Sequence, residues 1–226
     1  MPVFVMPYRK VIFTDGEIYH VFNRSVNKET IFNNKKEIDR FFSLINFYQF
    51  KSNISYSRYC FLDKLQQTSI KKLSTFSNQL VEIYAFCLMP NHYHLLVKQL
   101  LPKGLPIFIS KIQNGFAKYY NIKNERHGSL FCGMFKVVLI KSDEQFNHVS
   151  RYIHLNPVIA NIVNIKALDH NPLTSFSSYM ENSYQQFLCK KLIHDNFKSI
   201  NIYKKFVLDK EEYLRKLGEI ALNTRC

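Results

Sequence analysis

The sequence predicts an α+β fold, a ferredoxin-like sandwich with an antiparallel sheet and a helical C-terminal extension. Three observations carry this. Residues 17–23 and the apolar stretch 85–97 read as strands. Residues 35–50 and 107–120 place their apolar side chains at helical spacing. The segments follow one another as strand, helix, strand, strand, helix, strand, the order of that sandwich.

Taken in order, the strand at 17–23 leads through a polar turn into the helix at 35–50. There Ile38, Phe41, Phe42, Ile45 and Phe47 mark a buried face. Residues 51–79 are rich in Ser, Lys and Gln and read as a surface insertion with short helices, suited to a nucleic-acid contact or to plain decoration. A hairpin follows: Ala85-Phe-Cys-Leu-Met89, a Pro90-Asn91 turn, and His92-Tyr-His-Leu-Leu-Val97. After Gly104-Leu-Pro106 the helix at 107–120 buries Ile109, Ile112, Phe116 and Tyr119 or Tyr120, and beyond the polar loop at 126–128 a last strand runs near 130–141. Ser142 with Gln145 three residues later has the form of a capping box, so a short helix begins there and should stop near Pro157. A turn at Pro172, the run Ser175–Tyr179 and two lysine-rich helices between 184 and 222 complete the chain. These readings divide it into residues 1–168 and a helical extension, 169–226.

Composition narrows the function classes. Lys plus Arg number 31 against 17 Asp plus Glu, a net charge of +14, as a binder of phosphates requires, although acidic membranes or proteins attract the same charge. Lysines interleaved with aromatics, as at 111–126, favour single strands, whose unpaired bases stack on aromatic rings. The five cysteines, Cys60, Cys87, Cys132, Cys189 and Cys226, form no Cys-x-x-Cys pair and read as reduced packing thiols of a cytoplasmic protein. Residues 1–6 are too short for a signal sequence. No apolar run approaches about 18 residues, so no membrane span is expected.

Two local patterns can carry chemistry. His92 and His94 share one strand face, about 6 to 7 Å apart, while Tyr93 points to the other. Such a pair binds one divalent ion, or it forms two half-buried strand histidines that only hydrogen-bond. On the helix after Ser142, Tyr152 and Asn156 lie four residues apart and share a face. They read either as a phenol and an amide turned towards a metal or as a surface tyrosine and a helix-end residue. His148 shares the Tyr152 face, whereas His154 points about 200° away.

The segments Phe86–Val97, Gly128–Lys136, Arg151–Ala160 and Ser175–Tyr179, in that order, resemble those of the IS200-like tyrosine transposases of the HUH superfamily. The REP-associated branch is the nearest in pattern, and Tyr19–Val26 resembles the family's first strand. The resemblance spans about residues 18–179. It implies the HUH variant of the fold, His92 and His94 as metal ligands, Asn156 as the third ligand with His148 and His154 as competitors, and Tyr152 as nucleophile. It further implies Mg²⁺ or Mn²⁺ as cofactor and, as partner, single-stranded DNA with hairpin repeats, acted on by a monomer or homodimer at the nucleoid. The implied reaction is DNA nicking and strand transfer through a 5′-phosphotyrosine. Met134 departs from the pattern, since many relatives carry a basic residue there.

Other function classes make different demands. An RNA-binding module of the RRM type shares the strand order but needs stacking aromatics where this chain has histidines. A metal-dependent hydrolase would act without Tyr152, and a domesticated copy would bind DNA without cutting it.

Overall fold

The computed structural model of the chain describes residues 11–72, 76–181 and 187–209. The reading of residues 1–6, Cys226, and residues 184–186 and 210–222 of the last helical stretch lie outside the described residues. The elements are β1 (Ile18–Arg24), α1 (Lys35–Tyr48), α2 (Tyr56–Cys60), α3 (Lys64–Lys72), β2 (Val81–Met89), β3 (His92–Gln99), α4 (Gly104–Lys123), β4 (Lys136–Ile140), α5 (Asp143–Ile159), α6 (Ser175–Met180), α7 (Lys191–Asn196) and α8 (Ile200–Leu208). The four strands form one sheet in the order β2-β3-β1-β4, every neighbour antiparallel, so β1 and β3 are central. This is the ferredoxin-like order expected from the sequence.

Strand alternation divides the sheet into two faces. Tyr19, Val21, Phe86, Leu88, Tyr93, Leu95 and Val97 pack in one core with Phe41, Leu44 and Ile45 of α1 and with Phe108, Ile112 and Phe116 of α4. Helix α1 starts where the Asn34 side chain accepts from the backbone N–H groups of Lys36 and Glu37. Helix α4 begins at Gly104, three residues earlier than expected. Pro106 is tolerated in the first turn, where its missing N–H would have no helical partner. Gly104 is required there, because a Cβ would stand 2.5 Å from the Leu80 carbonyl oxygen.

The opposite face carries α5. Ala85, Cys87, Met89, Leu96 and Ile140 of the sheet share a second core with Phe146, Val149, Ile153 and Leu155 of α5 and with Ile193, Tyr203 and Val207 of the last two helices. Those helices therefore pack on α5 with fully buried side chains. Residues 175–179 form α6 and fasten the outer edge of β2. The Ser175 hydroxyl accepts from Phe86 N (2.9 Å), Leu88 N donates to Leu173 O (2.7 Å), and the buried Tyr179 hydroxyl donates to Tyr84 O (2.7 Å). The last bond satisfies a carbonyl at a β-bulge between Ile83 and Ala85.

Two boundaries differ from expectation. Helix α5 runs through Pro157 to Ile159, because a proline in the last turn forfeits a single backbone donor, that to Ile153. The strand expected from 130 to 141 is confined to β4, and Cys132 precedes it. Residues 130–132 still touch β1 and the loop after it, through the Ser25–Phe131 bridge and Cys132 N to Arg24 O (2.8 Å), but Gly133 at φ +45° turns the chain out of the ladder.

Candidate functional site

The β2–β3 hairpin is pinned at its turn to the loop after β1. The Pro90 carbonyl accepts from Ile31 N (2.8 Å) and Phe32 N (3.0 Å), and the Asn91 carbonyl from Ser25 N (2.8 Å). The Asn91 side-chain amide donates to Lys28 O (3.1 Å), which fixes its oxygen towards the His92 ring, 2.6 Å from Nδ1. An amide oxygen only accepts, so His92 carries its proton on Nδ1 and Nε2 keeps its lone pair.

His94 sits two residues further along β3, opposite Phe22 of β1. It is 5% exposed, with Phe22 at 5.5 Å between ring centroids and the Nε2 of His20 2.9 Å from its Nδ1. His92 and His94 lie on one face as the alternation predicts, centroids 5.2 Å apart and planes at 79°. Burial pushes His20 down to about 4; burial and then the charge of Arg24 take His92 to about 4. His94 falls well below the ordinary imidazole value through burial and its two histidine neighbours. All three rings are neutral at physiological pH, the state in which an imidazole ligates a cation.

Helix α5 brings Tyr152 over this face. The helix is capped at Ser142, whose hydroxyl accepts from Gln145 N (3.2 Å), while the Gln145 side chain accepts from Lys141 N (2.7 Å). The phenol ring meets the His94 ring edge-on at 5.7 Å and the His20 ring at 6.0 Å. Asn156 is buried one turn on, donates to the Tyr152 carbonyl (3.2 Å) and hydrogen-bonds the phenol. Burial raises the pKa of the Tyr152 phenol and the Asn156 contact opposes that rise. His148 turns to Glu144 and the Phe206 ring. His154 is fully buried among Phe176, Tyr179 and Tyr203, with Nδ1 3.3 Å from both the Thr174 and Ser175 hydroxyls.

Arg24, His92, His94, Cys132, Lys136 and Tyr152 open onto a cleft of about 490 Å³, and among the described residues no carboxylate lines it. A larger cleft of about 770 Å³, between α1, the insertion and residues 187–189, shares none of these groups. Among the described residues no three His, Cys, Asp or Glu side chains are arranged to hold a metal, so a cation here would rest on the two imidazoles and on oxygen donors. The sequence reading gave Asn91 only a place in the hairpin turn and assigned no role to His20 or Arg24. Strand alternation put His20 and Arg24 on one face of β1, but only the register against β3 sets them beside His94 and His92.

No curated protein matches the chain. Among solved structures, a REP-associated tyrosine transposase bound to a REP hairpin shares the fold at a TM-score of 0.52 and 16% identity, over 79% of this chain and 88% of that one. A candidate transposase from Deinococcus radiodurans R1 aligns at 13% identity over 70% of this chain and 98% of its own, with a TM-score of 0.35, too loose to argue from. Residues 48–156 match the family described as "Transposase IS200 like". That stretch, just under half of the chain, holds His92, His94, Tyr152 and Asn156, and through it the chain is similar to the IS200-like transposases.

Proposed function

We propose that the chain is a metal-dependent, single-stranded DNA nickase and strand transferase of the REP-associated kind, with Tyr152 as nucleophile. The observation that carries the reading is the Tyr152 phenol standing edge-on to His94 in the cleft that His92, Arg24 and Lys136 also line. The Tyr152 oxygen attacks a DNA phosphorus and loses its proton; the bond from phosphorus to the 3′ oxygen breaks, and that oxygen leaves as a 3′-hydroxyl. The 5′-phosphotyrosine conserves the ester, so a 3′-hydroxyl can attack it in turn and rejoin strands.

The chain's own groups meet the demands of this step in part. With a reference pKa of about 10, forming a phenolate at pH 7 costs about 4 kcal/mol, and burial of Tyr152 adds to that. Asn156 stabilises the phenolate through its hydrogen bond. Arg24 and Lys136 hold the phosphate backbone across the cleft mouth. His92, His94 and the Asn156 amide oxygen suit a divalent ion such as Mg²⁺ or Mn²⁺, because both rings are neutral and both have Nδ1 already engaged. Such an ion supplies positive charge to the scissile phosphate and to the developing phenolate.

A labelled hairpin single strand from the flanks of the gene, incubated with protein and Mn²⁺, tests the reading on a denaturing gel. Label at protein size with wild type and none with Tyr152→Phe supports it. Cleavage that persists in Tyr152→Phe identifies a hydrolase instead.

A further inference from the structure

We propose that His20 is a positioning residue for His94: its Nε2 accepts the His94 Nδ1–H and so holds His94 in the tautomer whose Nε2 is bare. The inference rests on the reading of His92 and His94 as a metal pair and extends it to a third histidine.

The geometry is that of an in-plane N–H···N bond. The nitrogens are 2.9 Å apart, the ring planes differ by 21°, and the 5.2 Å between centroids is the N···N distance plus one ring radius on each side. The rings therefore meet edge to edge rather than face to face. Both are almost fully buried, at 4% and 5% exposure, so water does not compete for the bond. Two neutral imidazoles in such a contact share one proton between the facing nitrogens. If His20 supplied it, His94 would carry its own proton on Nε2 and could not ligate a cation through either nitrogen.

The arrangement around His92 supports the opposite direction. There the Asn91 oxygen can only accept, so the neighbouring histidine is already fixed as Nδ1–H, Nε2 bare. With His20 as acceptor the two histidines present matching nitrogens, one oriented by the hairpin turn and one by β1. The backbone enforces the second contact: β1 and β3 pair with Phe22 opposite His94, so His20 is the diagonal neighbour on the same face. Tyr152 stands edge-on to both rings of the pair, which ties the orientation of His94 to the position of the phenol. Outer partners of this type set ligand orientation and basicity, and their loss typically weakens metal affinity about 10- to 100-fold.

The test is long-range ¹H–¹⁵N NMR of the histidine rings in metal-free protein, together with Mn²⁺ titration by calorimetry, on wild type, His20→Gln and His20→Phe. Glutamine keeps an acceptor close to the position of Nε2; phenylalanine keeps the ring volume and removes the acceptor. The proposal expects Nδ1–H His94 in wild type and His20→Gln. It expects loss of that tautomer in His20→Phe, with Mn²⁺ affinity about 10- to 100-fold lower. Nε2–H His94 in the wild type overturns it, and so does a His20→Phe variant that retains both tautomer and affinity. The tautomer is read without metal or DNA, so a wild type that binds no Mn²⁺ or forms no adduct counts against the transposase reading while the NMR still decides the role of His20.

Discussion

The phenol of Tyr152, carried on α5, stands edge-on to the imidazole of His94 on β3, with ring centroids 5.7 Å apart and planes at 88°. Fifty-odd residues of chain separate them, and the contact exists because α5 packs across the face of the sheet that carries the histidines. Helix and sheet thus form one base for the proposed nucleophile and the proposed cation site.

Replacing His92 and His94 together by alanine should abolish Mn²⁺-stimulated cleavage, by at least about 10³-fold, since no other described cluster can hold the ion. Hairpin affinity, measured by fluorescence anisotropy in the absence of metal, should change only modestly.

Arg24→Ala and Lys136→Ala should each weaken single-strand binding without regard to sequence. Each removes one phosphate contact at the cleft mouth, so the slope of log K against log salt should become shallower by about 0.7. Anisotropy titrations across a salt series read this directly.

Tyr179→Phe removes the donor that satisfies the buried Tyr84 carbonyl at the bulge of β2. The cost should be about 1–3 kcal/mol of folding stability in urea unfolding, with the active-site geometry retained.

Stability should also fall with acid. Burial lowers His154 to about 3, against about 6.5 when unfolded, so between these values the unfolded chain binds the extra proton. The stabilisation is complete well above the unfolded value of about 6.5 and is lost as pH falls through it towards 3, at up to about 1.4 kcal/mol per pH unit. Urea unfolding with chelator at pH 6.5 and 5.5 should show a drop in wild type that is about 1 kcal/mol smaller in His154→Gln, because the unfolded histidine is already half protonated at pH 6.5.

Much of this architecture was legible in the sequence because its signals are local. Alternation on both sides of Pro90-Asn91 gave the β2–β3 hairpin and the shared face of His92 and His94. Helical spacing gave α1 and the buried side of α4, and the Ser142 cap gave the start of α5. What stayed hidden is non-local or a matter of tolerance. The partnership of His20 with His94 depends on strand register 74 positions apart in sequence. The run Ser175–Tyr179 carried part of the family resemblance, but that its serine and tyrosine hold the edge of β2 is set by contacts distant in sequence. Pro157 read as a stop because its effect depends on how many turns follow it, and Gly133 shortened β4 by a backbone rotation that no periodicity records.

The central claim is that Tyr152 itself becomes covalently bound to DNA. Wild-type protein would be incubated with hairpin single-stranded DNA and Mn²⁺, trimmed with nuclease, digested with trypsin and read by tandem mass spectrometry. The account predicts a nucleotide joined through its 5′-phosphate to Tyr152, and no such peptide from Tyr152→Phe. Cleaved DNA with unmodified Tyr152, or an adduct on another residue, would contradict it.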